Sequence, residues 1–440
     1  MKYTLLLSLF LLAQFSNAQS LKRRADIGAS FSSPQYGIPG AQVRSVRAGS
    51  ALQKAGLKEG DVIIKLNGEL IDDPDRWSDI RYALHEGQEV TLLVKRGQAF
   101  HTLQTSMEAL SREQYKNTEV EYGEVVSDYG LTLRTITTYP KKRSGNLPAI
   151  FLISGLSCSS IEVFPGRPES GWTQVLSDIA SKSNMVFMRV EKPGVGDSEG
   201  ACGEGDFHGD IAGYRAALKK LKTLDMVDTT RIVIYGSSMG SALAPIMANE
   251  IPVAGVISDG TFVKTWFEHM LEIERRIRAF QGDSPSETMR KMNHAYIPLY
   301  HGMLIEKKSY AEVIEEKPYL AEYNYHSPAH MYGRPVAYYH QVQDTDFAKA
   351  WEEIKVPVRI LRGTNDWIMS AEDNYMIMDI LDQAGHKDHV LYEYPGLDHW
   401  NKIHEKPIDS FQGKPGKWED KISQIVIDWA WEIVNKSERP

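Results

Sequence analysis

The stretch that most constrains this chain is residues 231–248, RIVIYGSSMGSALAPIMA, which predicts a β-strand, a sharp turn and a helix. Ile232, Val233, Ile234 and Tyr235 make a β-branched and aromatic run of the length of a buried parallel strand. After Gly240 the alanine, leucine and methionine residues favour a helix. Between them stands Gly236-Ser237-Ser238-Met239-Gly240, a Gly-X-Ser-X-Gly pattern centred on Ser238. A serine nucleophile needs this spacing because it sits on strained backbone between strand and helix. A glycine two residues to either side lets neighbouring backbone pass where a Cβ would clash. The hydroxyl is thereby exposed, and the helix N-terminus behind it favours developing negative charge. The same five residues also fit an ordinary strand-to-helix turn, so the pattern needs partners elsewhere in the chain.

At 440 residues the chain exceeds one typical core, which suggests two or three domains. Its 42% hydrophobic and 25% charged content is that of a soluble globular protein. A formal charge of −8 leaves no basic excess to neutralise phosphates, which argues against nucleic-acid binding. At the N-terminus Lys2 precedes an apolar run over 5–13, and Ser16-Asn17-Ala18 supplies small residues before Gln19. Residues 1–18 therefore read as a cleavable signal peptide, implying a secreted or periplasmic protein. The run is about half the ~20 residues of a membrane span. A retained anchor is the alternative, no Cys follows for a lipoprotein, and no other segment approaches membrane length.

The strand, turn and helix around Ser238 resemble the nucleophile region of the α/β-hydrolase family. The resemblance implies an α/β fold over residues 118–440, a mostly parallel sheet with a helical cap insertion. Residues 149–153 form a buried strand ending in Ser154-Gly155-Leu156-Ser157, where such a fold places half of its oxyanion hole. The strand at 185–190 leads into Glu191-Lys192-Pro193-Gly194-Val195-Gly196-Asp197-Ser198-Glu199-Gly200, similar to the family's glycine-rich turn after its fourth strand. Another strand, 253–258, ends at Asp259-Gly260, and the next comparable one, 358–361, lies about a hundred residues on, far beyond the dozen or so a crossover requires. The insertion, about 262–350, is helical in pattern and aromatic, with Trp266, Phe267, Phe280, Tyr296, Tyr300, Tyr338 and Tyr339 among its residues. These either form the cap's own core or line a pocket.

In this fold the catalytic residues follow in the order Ser, Asp, His. Asp366 and His399 each stand just beyond a buried strand downstream of Ser238, and loops at the carboxyl ends of parallel strands share one crevice. A histidine is needed as base because a serine hydroxyl is a weak nucleophile, and the acid holds its tautomer. The rivals are Ser237 in the turn, Asp259 at another strand end, and His404. His386 and His389 precede the last strand, and Asp398 reads as a loop-fixing carboxylate. The resemblance gives the oxyanion hole to the backbone amides of Met239 and Leu156; the Leu156 loop lacks a His-Gly-Gly-Gly pattern, so a neighbouring amide is the alternative. The implied reaction is hydrolysis of a carboxylic ester through an acyl-enzyme, with no metal or organic cofactor. Two alternatives stand: a serine peptidase or amidase resembling prolyl oligopeptidases or serine aminopeptidases, and a non-catalytic envelope protein that binds peptides.

Ahead of this region, Gly49-Ser50-Ala51, Ala55-Gly56-Leu57, Gly60-Asp61-Val62-Ile63 and Asn67-Gly68 form a dense series of turns between short strands. The stretch resembles a PDZ domain of the type in bacterial secreted proteases, over residues 28–106, with a polar linker at 107–117. PDZ domains hold a peptide C-terminus on the amides of a glycine-rich loop. Here that loop would be Tyr36, Gly37, Ile38 and Gly40, although Pro39 has no N–H to donate and the usual Gly-Leu-Gly-Phe pattern is absent. The module either captures peptide C-termini or docks on its own catalytic domain. Cys158 and Cys202, the only cysteines, fall in loops at one end of the sheet; a disulfide and two separate small buried side chains both remain open.

Overall fold

Alternation of apolar and polar residues builds the first domain. In the strand Ala41–Val46 the buried Ala41 and Val43 alternate with exposed Gln42 and Arg44. In Glu89–Arg96 the inward positions are Val90, Leu92 and Val94. With Ala29–Phe31, Val62–Leu66 and Ala99–Ser106 these strands form an antiparallel sheet, and Glu69–Leu70 pairs at its side. Asn67 and Gly68 both take left-handed backbone, the conformation a two-residue hairpin turn requires. The helix Pro74–Tyr82 lays Trp77 and Ile80 on the sheet, giving this domain its own core. The computed structural model describes residues 21–35, 37–166 and 169–436; the signal-peptide reading of residues 1–18 and Tyr36 lie outside them.

The second domain is organised by near-continuous apolar strands, the pattern of a sheet covered on both faces. Its eight strands are β1 (Thr118–Val126), β2 (Thr132–Pro140), β3 (Leu147–Ile153), β4 (Val186–Val190), β5 (Val227–Ser237), β6 (Gly255–Asp259), β7 (Val358–Gly363) and β8 (His389–Tyr394). They lie in the order β1-β2-β4-β3-β5-β6-β7-β8. The pairs β1/β2 and β2/β4 are antiparallel and every other pair is parallel. Separate apolar clusters form on the two faces: Phe151 and Ile234 belong to one, Leu152 and Val233 to the other. This is a mostly parallel α/β-hydrolase sheet, and the carboxyl ends of β3 to β8 share one rim.

Between β6 and β7 the chain leaves the sheet as a helical cap that includes Trp266–Phe280, Pro285–Lys291, Val336–Gln343 and Phe347–Glu353. Trp266, Tyr296, Tyr300, Tyr338 and Tyr339 are all buried in the same apolar cluster as β3 and β4. These cap aromatics are therefore core residues, and the cap packs on the sheet as one body.

The two domains are joined by buried charge. Arg23 donates to both oxygens of Asp197 at 3.0 and 3.1 Å and also pairs with Glu162. The Arg24 amide reaches the same carboxylate at 2.8 Å, and Arg134 on β2 reaches it at 3.0 Å. The polar linker over 107–117 is anchored on the second domain: both oxygens of Glu113 bind Arg189 on β4, at 2.7 and 2.8 Å, with both side chains at 0% exposure. A buried pair holds because each charge satisfies the other; removing one partner leaves an ion without solvent.

Candidate active site

Ser238 has φ 55° and ψ −126°, a conformation that a residue with a Cβ rarely adopts. The surroundings leave it no alternative. A Cβ on Gly236 would lie 2.4 Å from the Gly240 carbonyl oxygen, and one on Gly240 would lie 2.0 Å from that of Ile153. The Ser238 amide donates to the Asp259 carbonyl at 2.9 Å, tying the turn to the end of β6. The helix Met239–Glu250 starts at once, so its N-terminus underlies the hydroxyl.

Asp366, in the turn after β7, and His399, in the turn after β8, meet Ser238 at the shared rim. His399 Nδ1 lies 2.8 Å from Asp366 Oδ2, and its Nε2 lies 3.0 Å from Ser238 Oγ. The other Asp366 oxygen accepts the amides of Ile368 and Met369 at 2.8 and 2.9 Å. Burial works against the Asp366 carboxylate, but the His399 charge, its hydrogen bond and the two amides outweigh it and hold the carboxyl below its ordinary range. Burial likewise works against a His399 imidazolium; Asp366 outweighs that too and raises the pKa above the ordinary value. Such a series can take a proton from a hydroxyl and return it to a leaving group.

The rivals have other partners. Asp259 accepts hydrogen bonds from the Tyr235 hydroxyl at 3.0 Å and from Asn401 at 3.1 Å, and its burial pushes the carboxyl up to about 6. His404 pairs with Asp398 at 3.1 Å. Asp398 also accepts the amides of Trp400 and Lys402, which makes it the carboxylate that shapes the loop carrying His399. The rings of His386 and His389 face each other at the start of β8. Ser237 is the last residue of β5.

Opposite Ser238, the loop after β3 passes so close that a Cβ on Gly155 would lie 3.0 Å from Ser238 Cβ and 3.5 Å from its Oγ. Leu156 follows directly. Several contacts hold this loop: the Tyr214 hydroxyl lies 2.9 Å from Ser154 Oγ, Arg189 donates to the Ile161 carbonyl at 3.1 Å, and three more come from the turn after β4 or just beyond it. Buried Lys192 donates to the carbonyls of Gly155 and, at 2.6 Å, of Ser157. Its burial brings the ammonium pKa down to about 8. Glu191 accepts the Ser160 hydroxyl and, at 3.3 Å, the Ile161 amide. Cys158 and Cys202 form a disulfide, with Cα atoms 5.8 Å apart.

Lys192, Glu191 and Gly260 were not among the residues singled out from sequence. Gly260 has φ +60°, and a Cβ there would lie 3.3 to 3.4 Å from the facing atoms of Asp366 and His399. The signals were a glycine immediately after a strand end, and two charged residues opening a turn otherwise made of Pro and Gly.

The expected peptide-binding loop is differently employed. The Gly37 amide donates to the Asp72 carbonyl at 2.8 Å, Gly40 to Ile71 at 2.6 Å and Ile38 to Gln35 at 3.1 Å. Pro39 has no amide, so the described donors of this loop are spent within the domain and do not form a carboxylate cradle. A cleft of about 980 Å³ lies between the domains, bordered by Tyr82 and His85 on one side and Ser157, Cys158 and Tyr332 on the other. Beside His399 an aromatic wall continues from Trp400, 46% exposed, through Trp367 to Phe411 and Phe280.

A family model described as serine aminopeptidase, S33, matches residues 161–405, and a PDZ-domain model matches residues 25–107. No curated protein matches the chain. Among solved structures, an esterase from Pyrococcus furiosus is similar at 13% identity over 74% of this chain and 97% of that one, with a TM-score of 0.42. Est1E from Butyrivibrio proteoclasticus with ferulic acid bound is similar at 16% identity over 71% of this chain and 100% of that one, TM-score 0.44. Acetyl xylan esterase 1 from a Thermoanaerobacterium species is similar at 14% identity over 74% and 86%, TM-score 0.43.

Proposed function

This chain belongs to the family described as serine aminopeptidase, S33, within the α/β hydrolases, and from that premise we propose that it is a serine hydrolase cleaving carboxylic esters. The observation that carries the reading is the series from Asp366 through His399 to Ser238, at 2.8 and 3.0 Å, ending on a hydroxyl presented by strained backbone. Ser238 Oγ attacks the ester carbonyl carbon while His399 Nε2 takes its proton, and Asp366 keeps the imidazole in the required tautomer. The carbonyl oxygen, now an oxyanion, is received by the amides of Met239 and Leu156. The tetrahedral intermediate collapses, the C–O bond to the alcohol breaks, and His399 hands its proton to the departing oxygen. Water then attacks the acyl-enzyme with His399 as base, releasing the acid and restoring Ser238. The aromatic wall beside His399 suits an apolar acyl or alcohol group.

The family description and the N-terminal PDZ domain favour a second reading, a peptidase that uses the same residues on an amide. Paired substrates sharing one acyl group and differing as ester and amide separate the two. The underlying chemistry is tested by intact mass after fluorophosphonate treatment: one adduct on the wild type and none on Ser238→Ala, whose kcat should fall by about 10⁵-fold or more. No adduct on folded wild type would overturn the reading. We place the protein outside the cytoplasm, where a disulfide such as Cys158–Cys202 persists and the leader over residues 1–18 would be removed. An exported protein whose mass begins at Gln19 is the check.

A further inference from the structure

The loop that faces the nucleophile has no strain of its own to fix it. It leaves β3 at Ile153, passes Ser238 at Gly155 and runs on to Ile161. Tyr214 holds it at Ser154 and Arg189 at Ile161; between them the turn after β4 grips it, with Lys192 bonded to the Gly155 carbonyl beside Ser238. The lysine is buried, and its Nζ donates to the carbonyl oxygens of Gly155 and Ser157, which flank Leu156. The Gly155 carbonyl and the Leu156 amide belong to one peptide unit. Because that unit is planar and trans, its C=O and N–H point in opposite directions, so an ammonium that draws the oxygen one way aims the N–H the other way.

We infer that Lys192 is a positioning residue: by gripping the Gly155 carbonyl it fixes the peptide plane that presents the Leu156 amide to the substrate oxygen. The inference rests on the acyl-transfer reading above and deepens it. Lys192 touches neither substrate nor the reacting atoms, and its effect passes entirely through that peptide.

Burial is the largest influence on the ammonium and lowers its pKa to about 8, while neighbouring charges act in both directions. Asp210 on the helix Phe207–Leu221 and Glu191 beside it in the turn favour the charged form, and Arg334 from the cap opposes it. Arg334 is itself paired to Asp210, so these two charges largely answer each other. Glu191, one residue earlier, holds the far end of the same loop through Ser160 and Ile161. Adjacent residues of one turn thus grip both halves of the facing loop.

The same turn is held by the segment leading into the first domain and by β2. Asp197 receives Arg23, Arg134 and the Arg24 amide, and Arg24 also donates to the Gly194 carbonyl at 2.8 Å. Lys192 therefore stands on a turn clamped from its far side, which lets a flexible side chain act as a fixed strut.

The test uses the full-length mature protein with Lys192→Met, which keeps the apolar stem and removes the donors, and Lys192→Gln, which keeps a shorter donor. Active sites are first titrated with a fluorophosphonate, so that kcat is expressed per reactive Ser238. Removing an oxyanion donor outright costs about 10²- to 10³-fold in kcat. Misaiming one is expected to lower per-site kcat about 10- to 100-fold in the Met variant, with KM within about threefold and a smaller fall in the Gln variant. In a Lys192→Ala variant, added methylammonium should recover part of kcat. A merely structural lysine would reduce the number of titrated sites and leave per-site kcat unchanged. Per-site kcat within twofold of wild type in whichever variant folds overturns the inference while the acyl-transfer reading stands. Absence of any adduct on folded wild type overturns that reading first.

Discussion

The turn that carries Ser238 and the loop that faces it are neighbours in space and opposites in construction. The turn is held by close backbone packing: positive φ at Ser238, and glycines at 236 and 240 where a Cβ would strike the carbonyl oxygens of Gly240 and of Ile153 on β3. The facing loop is held by groups brought from elsewhere, among them Lys192, Glu191, Tyr214, Arg189 and the Cys158–Cys202 disulfide. Locally enforced geometry fails all at once when one atom is added. Geometry enforced by several separate contacts degrades in steps as they are removed. The active site thus joins a rigid half to a half that substitutions can adjust by degrees.

Breaking the rigid half gives the largest effect. Gly240→Ala puts a methyl 2.0 Å from the Ile153 carbonyl oxygen, inside any permitted contact, with the Ser154 carbonyl oxygen at 2.7 Å on the same side. Both neighbours are backbone, so the helix Met239–Glu250 must move away from β3. Such overpacking costs about 1–3 kcal/mol or more, and the displaced turn should lose fluorophosphonate labelling with it. A lower Tm together with loss of the adduct is the expected result. Retained labelling at wild-type rate would mean that the turn is not locally enforced.

Opening the disulfide probes the adjustable half and should cost less in activity. The bond joins cysteines 44 positions apart, and loop-closure entropy for that separation is about 4 kcal/mol. The loop keeps Lys192 and Glu191, so Cys158→Ser with Cys202→Ser is expected to lower Tm clearly while per-site kcat falls by no more than about tenfold. Loss of activity without loss of Tm would place the disulfide on a level with Lys192 as a determinant of the loop.

The same contrast explains what could be read from sequence. Ser238 was legible because its Gly-X-Ser-X-Gly signature lies within five residues. Asp366 and His399 were legible because each directly follows an apolar strand, and parallel topology sends those ends to one rim. The structure brings all three into one hydrogen-bonded series. Lys192 was not legible, because its carbonyl partners lie 37 and 35 positions earlier and only the order β4-β3 makes them neighbours. Arg23 and Asp197, 174 positions apart, were hidden for the same reason, and so was the anchoring of Glu113 on Arg189. In the PDZ domain the glycine-rich loop was visible as a turn. Its amides proved to serve Asp72 and Ile71, a pairing that depends on which strand end comes alongside.

The smallest expected effect concerns Asp259, the second carboxyl at the rim. It lies at the end of β6, accepts from Tyr235 and Asn401, and its backbone rather than its side chain supports the Ser238 turn. Asp259→Asn keeps an oxygen for both donors, so kcat should change by less than about tenfold, and because the Asp259 charge helps raise the His399 pKa the acid limb should shift modestly to lower pH. The difference should appear in stability. Burial raises this carboxyl from 3.8 to about 6, so the folded state binds its proton more tightly than the unfolded chain does. Its contribution is fully present below the unfolded pKa, near 4, and is lost as pH rises through about 6. That amounts to roughly 3 kcal/mol at most. The Asn variant lacks the ionisation, so its Tm should fall less than that of wild type between pH 4 and pH 7. If Asp259→Asn instead lost activity on the scale expected of a catalytic acid, about 10⁴-fold, the division of labour between the two carboxyls would be reversed, and β6 rather than β7 would supply the residue that orients His399.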